Sequence, residues 1–365
     1  MYLYIIYCLI TCFSLREIAI NRKSIRNRKS KIIYILFVLL FIILSSCRWE
    51  NGPDWDSYYV TWKWFSEISI VGELEPGYIL LTSINHWLVN DYSFHIFIMA
   101  LITIIPVSIT IYKYSPYPLF SLYVWYVCYI AHIFNVRQTI AISFIFCSIP
   151  FIINRKFIRY FIVVLISCFI HKTAFIALPI YWLWKVRINK KSAIIYLLIC
   201  CIISLTLSNI ITNFINLLGG ELFEAKLNFY LNEHSDSTFG QIFSHQQMLI
   251  RGLFNRGVII ILGFYLLDKI RENNPFLNGI INIYYFGSII FFIFTPLHPA
   301  FTRLTTYYDL FQILLIPSLF LYRMTNNVRL ILFLIVFLYL CVRFKGVVSN
   351  YEDLYIPYKF FLNYK

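Results

Sequence analysis

Apolar runs separated by polar breaks recur along the whole of this 365-residue chain, at about 1–15, 32–47, 93–112, 119–134, 139–153, 158–170, 173–184, 193–210, 255–267, 278–295, 305–322 and 328–343. That repetition leaves few folds open. A bilayer core about 30 Å thick admits only backbone whose polar groups are satisfied internally. Composition points the same way, because 13% charged residues is about half of what a water-facing surface requires. The pattern predicts an all-α, polytopic transmembrane helical bundle of about twelve spans, a single membrane domain over residues 1–365. Several runs are shorter than the roughly 17 residues that a crossing needs, so their boundaries extend a little or their tips sink into a cavity. The nine cysteines lie almost entirely inside apolar runs without metal-ligand spacing, and read as small membrane hydrophobes.

Every second break is basic. The first holds Arg16, Arg22, Lys23, Arg26, Arg28, Lys29 and Lys31; later ones hold Lys113; Arg155, Lys156 and Arg159; Lys185, Arg187, Lys190 and Lys191; Lys269 and Arg271; Arg323 and Arg329. Short basic loops stay cytoplasmic, so these breaks face the cytoplasm and both termini lie outside. The net charge of +14 is then an orientation signal, and no nucleic-acid partner is expected. Because both flanks of 158–184 are basic, that segment has to be a hairpin turning at His171-Lys172.

Two outer loops are long. The first, 48–92, ends in a stretch at 78–90 whose polar breaks at Ser83, Asn85 and His86 suit an interfacial or re-entrant segment. The second, 211–254, is polar enough to form a lid. The side chains with chemistry gather on this outer side: Arg48, Asp54, Asp56, Glu75, Arg137, His171, Lys172, Arg251, Arg256, His298 and Arg303. Each has a structural reading beside the functional one. Arg137 can snorkel from its hairpin tip, His171 can be a hydrogen-bonded turn residue, and Asp54 and Asp56 can pair with Arg48. Glu75-Pro76-Gly77-Tyr78 is a turn back into the membrane. Arg303 can pair with Asp309, with Tyr307 beside an outer cavity. The aromatic residues Trp49, Trp55, Tyr58, Tyr59, Trp62 and Trp64 read as an interfacial belt. Arg137 and His171, at equivalent tips of adjacent hairpins, nevertheless suit transfer from a phosphate-linked donor: guanidinium groups neutralise the phosphate while histidine handles a hydroxyl proton.

Taken in order, Arg48, Gly52-Pro53-Asp54, Tyr58, Glu75-Pro76-Gly77-Tyr78, Arg137-Gln138-Thr139-Ile140-Ala141, His171-Lys172-Thr173-Ala174 and Arg303 with Tyr307 resemble the EpsG family of exopolysaccharide and O-antigen polymerase-like membrane proteins, broadly the Wzy type. The resemblance implies a GT-C-like bundle that polymerises undecaprenyl-pyrophosphate-linked oligosaccharide repeat units at the periplasmic face, within membrane lipid. On that reading His171, Arg137 and Asp54 are the catalytic candidates, with His171 the general base or the group orienting the acceptor hydroxyl. Arg48, Asp56, Glu75, Lys172, Arg256, Arg303 and Tyr307 bind substrate. No cofactor and no metal are expected, since arginines can clamp a leaving pyrophosphate; a chain-length regulator remains open as a partner. The rivals are a glycosyltransferase with a polyprenyl-phosphate-sugar donor, a lipid-linked oligosaccharide flippase, which would place charge deep in related halves, and a membrane acyltransferase.

Overall fold

The computed structural model describes residues 2–19, 26–65, 74–134, 137–206, 244–295, 302–322, 325–349 and 352–363; all regular structure among them is helical. Most of the second long outer loop (211–243), and His298, lie outside the described residues, as do Arg22, Lys23 and Arg323 of the basic breaks. The chain divides into two compact units, 1–178 with 316–365, and 179–315.

The first unit begins with α1 (Tyr2–Ala19), α2 (Arg28–Ser46), α3 (Trp55–Lys63), α4 (Pro76–Leu88), α5 (Tyr92–Tyr114) and α6 (Pro118–Cys128). It continues through α7 (Ile130–Ile133), α8 (Arg137–Cys147), α9 (Ile149–Ile153), α10 (Phe157–Ile170) and a 3₁₀ helix at Lys172–Ala177. Polar side chains mark the starts of the long helices. Asn27 accepts from Ser30 N at 2.8 Å, and Asp91 from Ser93 N at 2.8 Å and Phe94 N at 3.1 Å, each meeting an amide that has no intrahelical partner. Helix α6 is buried along all eleven residues, with α1, α2 and α5 packed around it. Its own N-cap lacks a side-chain bond, and Glu17 from α1 supplies one, its carboxylate accepting from Leu119 N at 3.1 Å and Phe120 N at 2.9 Å.

The second unit contains α11 (Ile180–Leu183), α12 (Lys190–Thr206), α13 (His245–Gly252), a π-helical turn at Leu253–Gly257, α14 (Val258–Arg271), α15 (Pro275–Phe294), a 3₁₀ turn at Arg303–Thr305 and α16 (Thr306–Asp309). Helices α12 and α14 pack on α15, whose first turn is capped by Asn274. After α17 (Gln312–Ser318) the chain completes the first unit with α18 (Asn326–Ser349), which lies on α6, and α19 (Glu352–Tyr355).

Among the described residues, six stretches are long and apolar enough to cross a membrane: 2–19, 28–46, 92–114, 246–268, 275–294 and 327–349; a pair bent by 42°, 303–309 with 312–321, makes a seventh. The expected count of about twelve is not reached by full-length helices, and the backbone gives the reason. The run at 119–134 breaks at Tyr129, whose φ of −138° and ψ of 40° leave the helical region. The eleven residues before it rise about 17 Å, roughly half of the hydrocarbon core. Helix α4, over the stretch expected to be interfacial or re-entrant, has 13 residues and is likewise too short to cross. The hairpin expected at His171 is present: Tyr160 of α10 donates its hydroxyl to Ala177 O at 2.6 Å, so the chain doubles back there.

Candidate active site

Pro76 fixes the first turn of α4 and leaves Glu75 as its N-cap. From there the carboxylate, 8% exposed, reaches three residues on two other segments of the first unit. Glu75 Oε2 accepts from Arg137 Nη1 at 2.7 Å, Oε1 accepts from the backbone N of Lys172 at 3.3 Å, and Oε1 lies 3.9 Å from His171 Nδ1. Gly77 permits the approach, because a Cβ there would stand 2.7 Å from the carbonyl oxygen of Phe169 at the end of α10. Glu75, expected as one substrate contact among several, is therefore the group on which the others converge.

Arg137 opens α8. Its Nε donates to Tyr58 Oη at 3.2 Å, and its guanidinium lies 5.7 Å from the ring centres of both Tyr58 and Tyr78. Burial raises the Tyr58 hydroxyl above its ordinary range, with Arg137 pulling it down and the Asp54 carboxylate pushing it up. His171, extended between α10 and the 3₁₀ helix, has its Nδ1 aligned to accept from Thr173 N at 3.4 Å, and 2.9 Å from Thr173 Oγ1. Accepting the backbone N–H puts the ring proton of the neutral form on Nε2. Burial pushes the imidazole down to about 4 against the pull of Glu75, with Arg137 and Lys172 adding to the push. His171 is thus neutral at pH 7, a donor through Nε2.

Arg48 is buried, 3% exposed. Burial pushes its guanidinium down to about 10, opposed by Tyr92, Tyr358, Tyr355 and Tyr2, so it remains charged at neutral pH. It sits in a turn where Gly52, at φ +91°, adopts a conformation costly for other residues. Segment 354–361 straps that turn: Trp49 N donates to Lys359 O at 2.8 Å, Gly52 N to Leu354 O at 2.8 Å and Lys359 N to Asn51 Oδ1 at 2.6 Å. Arg48 and Arg137 line one small cavity with Tyr58, Tyr78, Tyr92 and His95. Its volume of about 20 Å³ admits a single water. A wider groove of about 350 Å³ opens beside Glu75 and Lys172, walled by Leu74, Pro76, Leu165, Cys168 and Phe169.

Asp54 takes a left-handed conformation at the N-cap of α3, with φ 59°, and its carbonyl receives Tyr58 N; Asp56 is exposed in the first turn of that helix. The belt reading of the nearby aromatics needs correction. Trp55 and Trp62 are buried, and stack with Trp49, Tyr59 and Tyr92 at centre distances from 4.9 to 6.0 Å. The cause is the spacing 55, 58, 59 and 62, one face of a helix, which folds the first loop against α5. Tyr92 and His95 were not singled out from sequence, and that same spacing is the signal pointing to them.

Arg256, Arg303 and Tyr307 belong to the second unit. The π turn carries Arg256 to Asp309, to which Nη2 donates, and to Thr305 Oγ1 at 3.1 Å; its Cζ lies 3.7 Å from the centre of the Phe291 ring. Such turns cluster at functional sites. Asp309, for which Arg303 was the expected partner, pairs with Arg256, and Arg303 is exposed. Tyr307 is 1% exposed, a core side chain instead of a cavity wall. Among the described residues no group of three His, Cys, Asp or Glu side chains converges as a metal-ligand set.

The family model that matches the chain is described as the EpsG family and covers residues 31–360. No curated protein and no solved structure matches it.

Proposed function

The chain belongs to the EpsG family, a Wzy-like polymerase family, and from that premise we propose that it joins undecaprenyl-pyrophosphate-linked oligosaccharide repeat units into O-antigen or exopolysaccharide at the periplasmic face of the inner membrane. The observation that carries this reading is the convergence of Arg137, His171 and Lys172 on Glu75 beside an apolar groove. Arg48, Arg137 and Lys172 outnumber the carboxylates of Glu75 and Asp54, which suits a dianionic head group. The groove suits the first isoprene units next to it. Helix α5 supports the sidedness: its 23 residues rise about 35 Å, with Tyr92 and His95 at the cavity and Lys113 at the far end. Basic ends face the cytoplasm, so the cavity faces away from it. On this reading the short helices α6 and α8 to α11 pair into further partial crossings, raising the total toward the twelve of a GT-C-like bundle.

In the reaction, the bond from the anomeric carbon to the pyrophosphate oxygen breaks, and its electron pair leaves with the pyrophosphate. An acceptor hydroxyl oxygen forms the new glycosidic bond and its proton passes to the departing pyrophosphate. Arg137 stabilises the charge that develops on the leaving group, a contact that strengthens in the transition state. Of the two roles open to His171, the hydrogen bond from Thr173 N supports orientation: Nε2–H donates to the acceptor oxygen. Arg48, Asp54 and Asp56 position the sugars, and Arg256 and Arg303 enter only as secondary phosphate contacts. The test is reconstitution with lipid-linked repeat units. The protein should give a ladder of products, and His171→Ala or Arg137→Ala should abolish the ladder while the protein stays in the membrane. Normal chain length in both variants would sink the assignment, and single-sugar addition from a monophosphate donor would replace it with the glycosyltransferase reading.

A further inference from the structure

We infer that the trough between α2 and α5 is a binding site for one anionic glycerophospholipid, its phosphate held by Lys31 and Lys113, at the end of the first unit remote from Glu75. The inference does not depend on the reaction proposed above. The trough encloses about 400 Å³, within the range of roughly 300–1,000 Å³ for small-molecule sites. Lys31 lies in the first turn of α2 and Lys113 in the last turn of α5, so these antiparallel neighbours bring both ammonium groups to one mouth. Below them Leu39, Ile42 and Ile109 line the walls, and no carboxylate does.

Depth and chemistry decide the occupant. From Lys31 to Ile42 a helix rises about 16 Å, close to half of a bilayer core of about 30 Å. The trough is therefore one leaflet deep, with cations at its head-group end and hydrocarbon beneath. Its floor is fixed, since the buried Tyr34 donates its hydroxyl to Ser108 O at 2.6 Å. The Ser108 side chain, 4% exposed, lines the trough beside that bond. The ester carbonyls of a diacyl lipid would lie at that level, about 7 Å below Lys113 by the helix rise. Arg26 is held beside this mouth, its Nη2 donating to the carbonyls of Tyr112, Lys113 and Ser115 at 3.2 to 3.3 Å. Two lysines beside a phosphodiester, each worth roughly fivefold near an anionic surface, make the site selective for charge, and the trough makes it selective for a lipid over free phosphate.

The test uses the full chain in a non-ionic detergent, with lipid adducts read by native mass spectrometry. Phosphatidylglycerol should be retained at least tenfold more tightly than phosphatidylcholine with the same acyl chains, and millimolar inorganic phosphate should not displace it. The double variant Lys31→Gln/Lys113→Gln should lose that preference, by about ten- to thirtyfold. Ile109→Trp, which narrows the trough and keeps both lysines, should weaken both lipids. Lys156→Gln/Arg159→Gln removes the same charge from another exposed basic break and should change nothing. Equal retention of the two lipids, displacement by phosphate, or the same loss in the Lys156/Arg159 variant would each overturn the inference.

Discussion

Glu75 and Arg137 form an ion pair at 2.7 Å between the N-cap of α4 and the first residue of α8, with side-chain exposures of 8% and 23%. Opposite charges so placed hold two short helices in register where neither is long enough to be anchored across a bilayer. The pair also leaves the remaining guanidinium edge facing the site in a fixed direction.

Because each partner satisfies the other, their effects are not additive. Glu75→Gln and Arg137→Gln are each expected to lower activity at least tenfold, and the double variant to be no worse than the poorer single one. Product-ladder intensity per membrane-inserted protein measures this; strictly multiplicative losses would mean that the two act separately.

His171 sets the response to acid. Its imidazole lies near 4, below the ordinary 6.5, so the folded chain binds fewer protons than the unfolded one between those values. Stability from the neutral ring is complete above about pH 6.5 and is lost as pH falls toward 4. The polymerisation rate should therefore run level through pH 6.5 on its acid side. An inflection at 6.5 that vanishes in His171→Gln would contradict the buried, neutral ring.

Tyr58→Phe removes the oxygen that Arg137 Nε reaches at 3.2 Å and keeps the ring beneath the guanidinium. A hydrogen bond to a charged group contributes about 1.5–3 kcal/mol, so activity is expected to drop roughly ten- to hundredfold at normal protein abundance. Unchanged activity would show that the ring stack alone orients Arg137.

In the second unit, Arg256→Ala removes the guanidinium from the Asp309 carboxylate, 7% exposed, and should reduce the amount of protein in the membrane. Removing one partner of a buried pair costs about 3–5 kcal/mol, whereas replacing both by apolar groups is often neutral. Arg256→Met/Asp309→Leu should therefore recover abundance. If it recovers chain length as well, Arg256 is structural; abundance without polymer would return it to the phosphate contacts.

The sequence made the helical class, the hairpin at His171 and the grouping of Arg137 with His171 legible, because each rests on local pattern or on charge counted along the chain. The break at Tyr129 was not legible, since nothing in Val127-Cys128-Tyr129-Ile130 differs from the apolar run around it. Nor was the centrality of Glu75: beside Pro76-Gly77 it reads as turn chemistry, and only the positions of α8 and α10 show that its carboxylate has three partners. The pairing of Arg256 with Asp309 was not legible either. A separation of six residues favours Arg303 for Asp309, while the π turn that delivers Arg256 over a separation of 53 leaves no mark on composition.

The strap over the Arg48 turn couples positions more than 300 apart, as in the bond from Asn51 Nδ2 to Pro357 O, 306 residues on, at 3.0 Å. During synthesis the turn at 47–52 emerges early, and its covering segment only after nearly all the spans have been inserted. Arg48 thus waits through most of biogenesis without the backbone that finally holds it. A chain lacking residues 354–361 would have an unfinished Arg48 wall, which ties completion of that wall to completion of the chain.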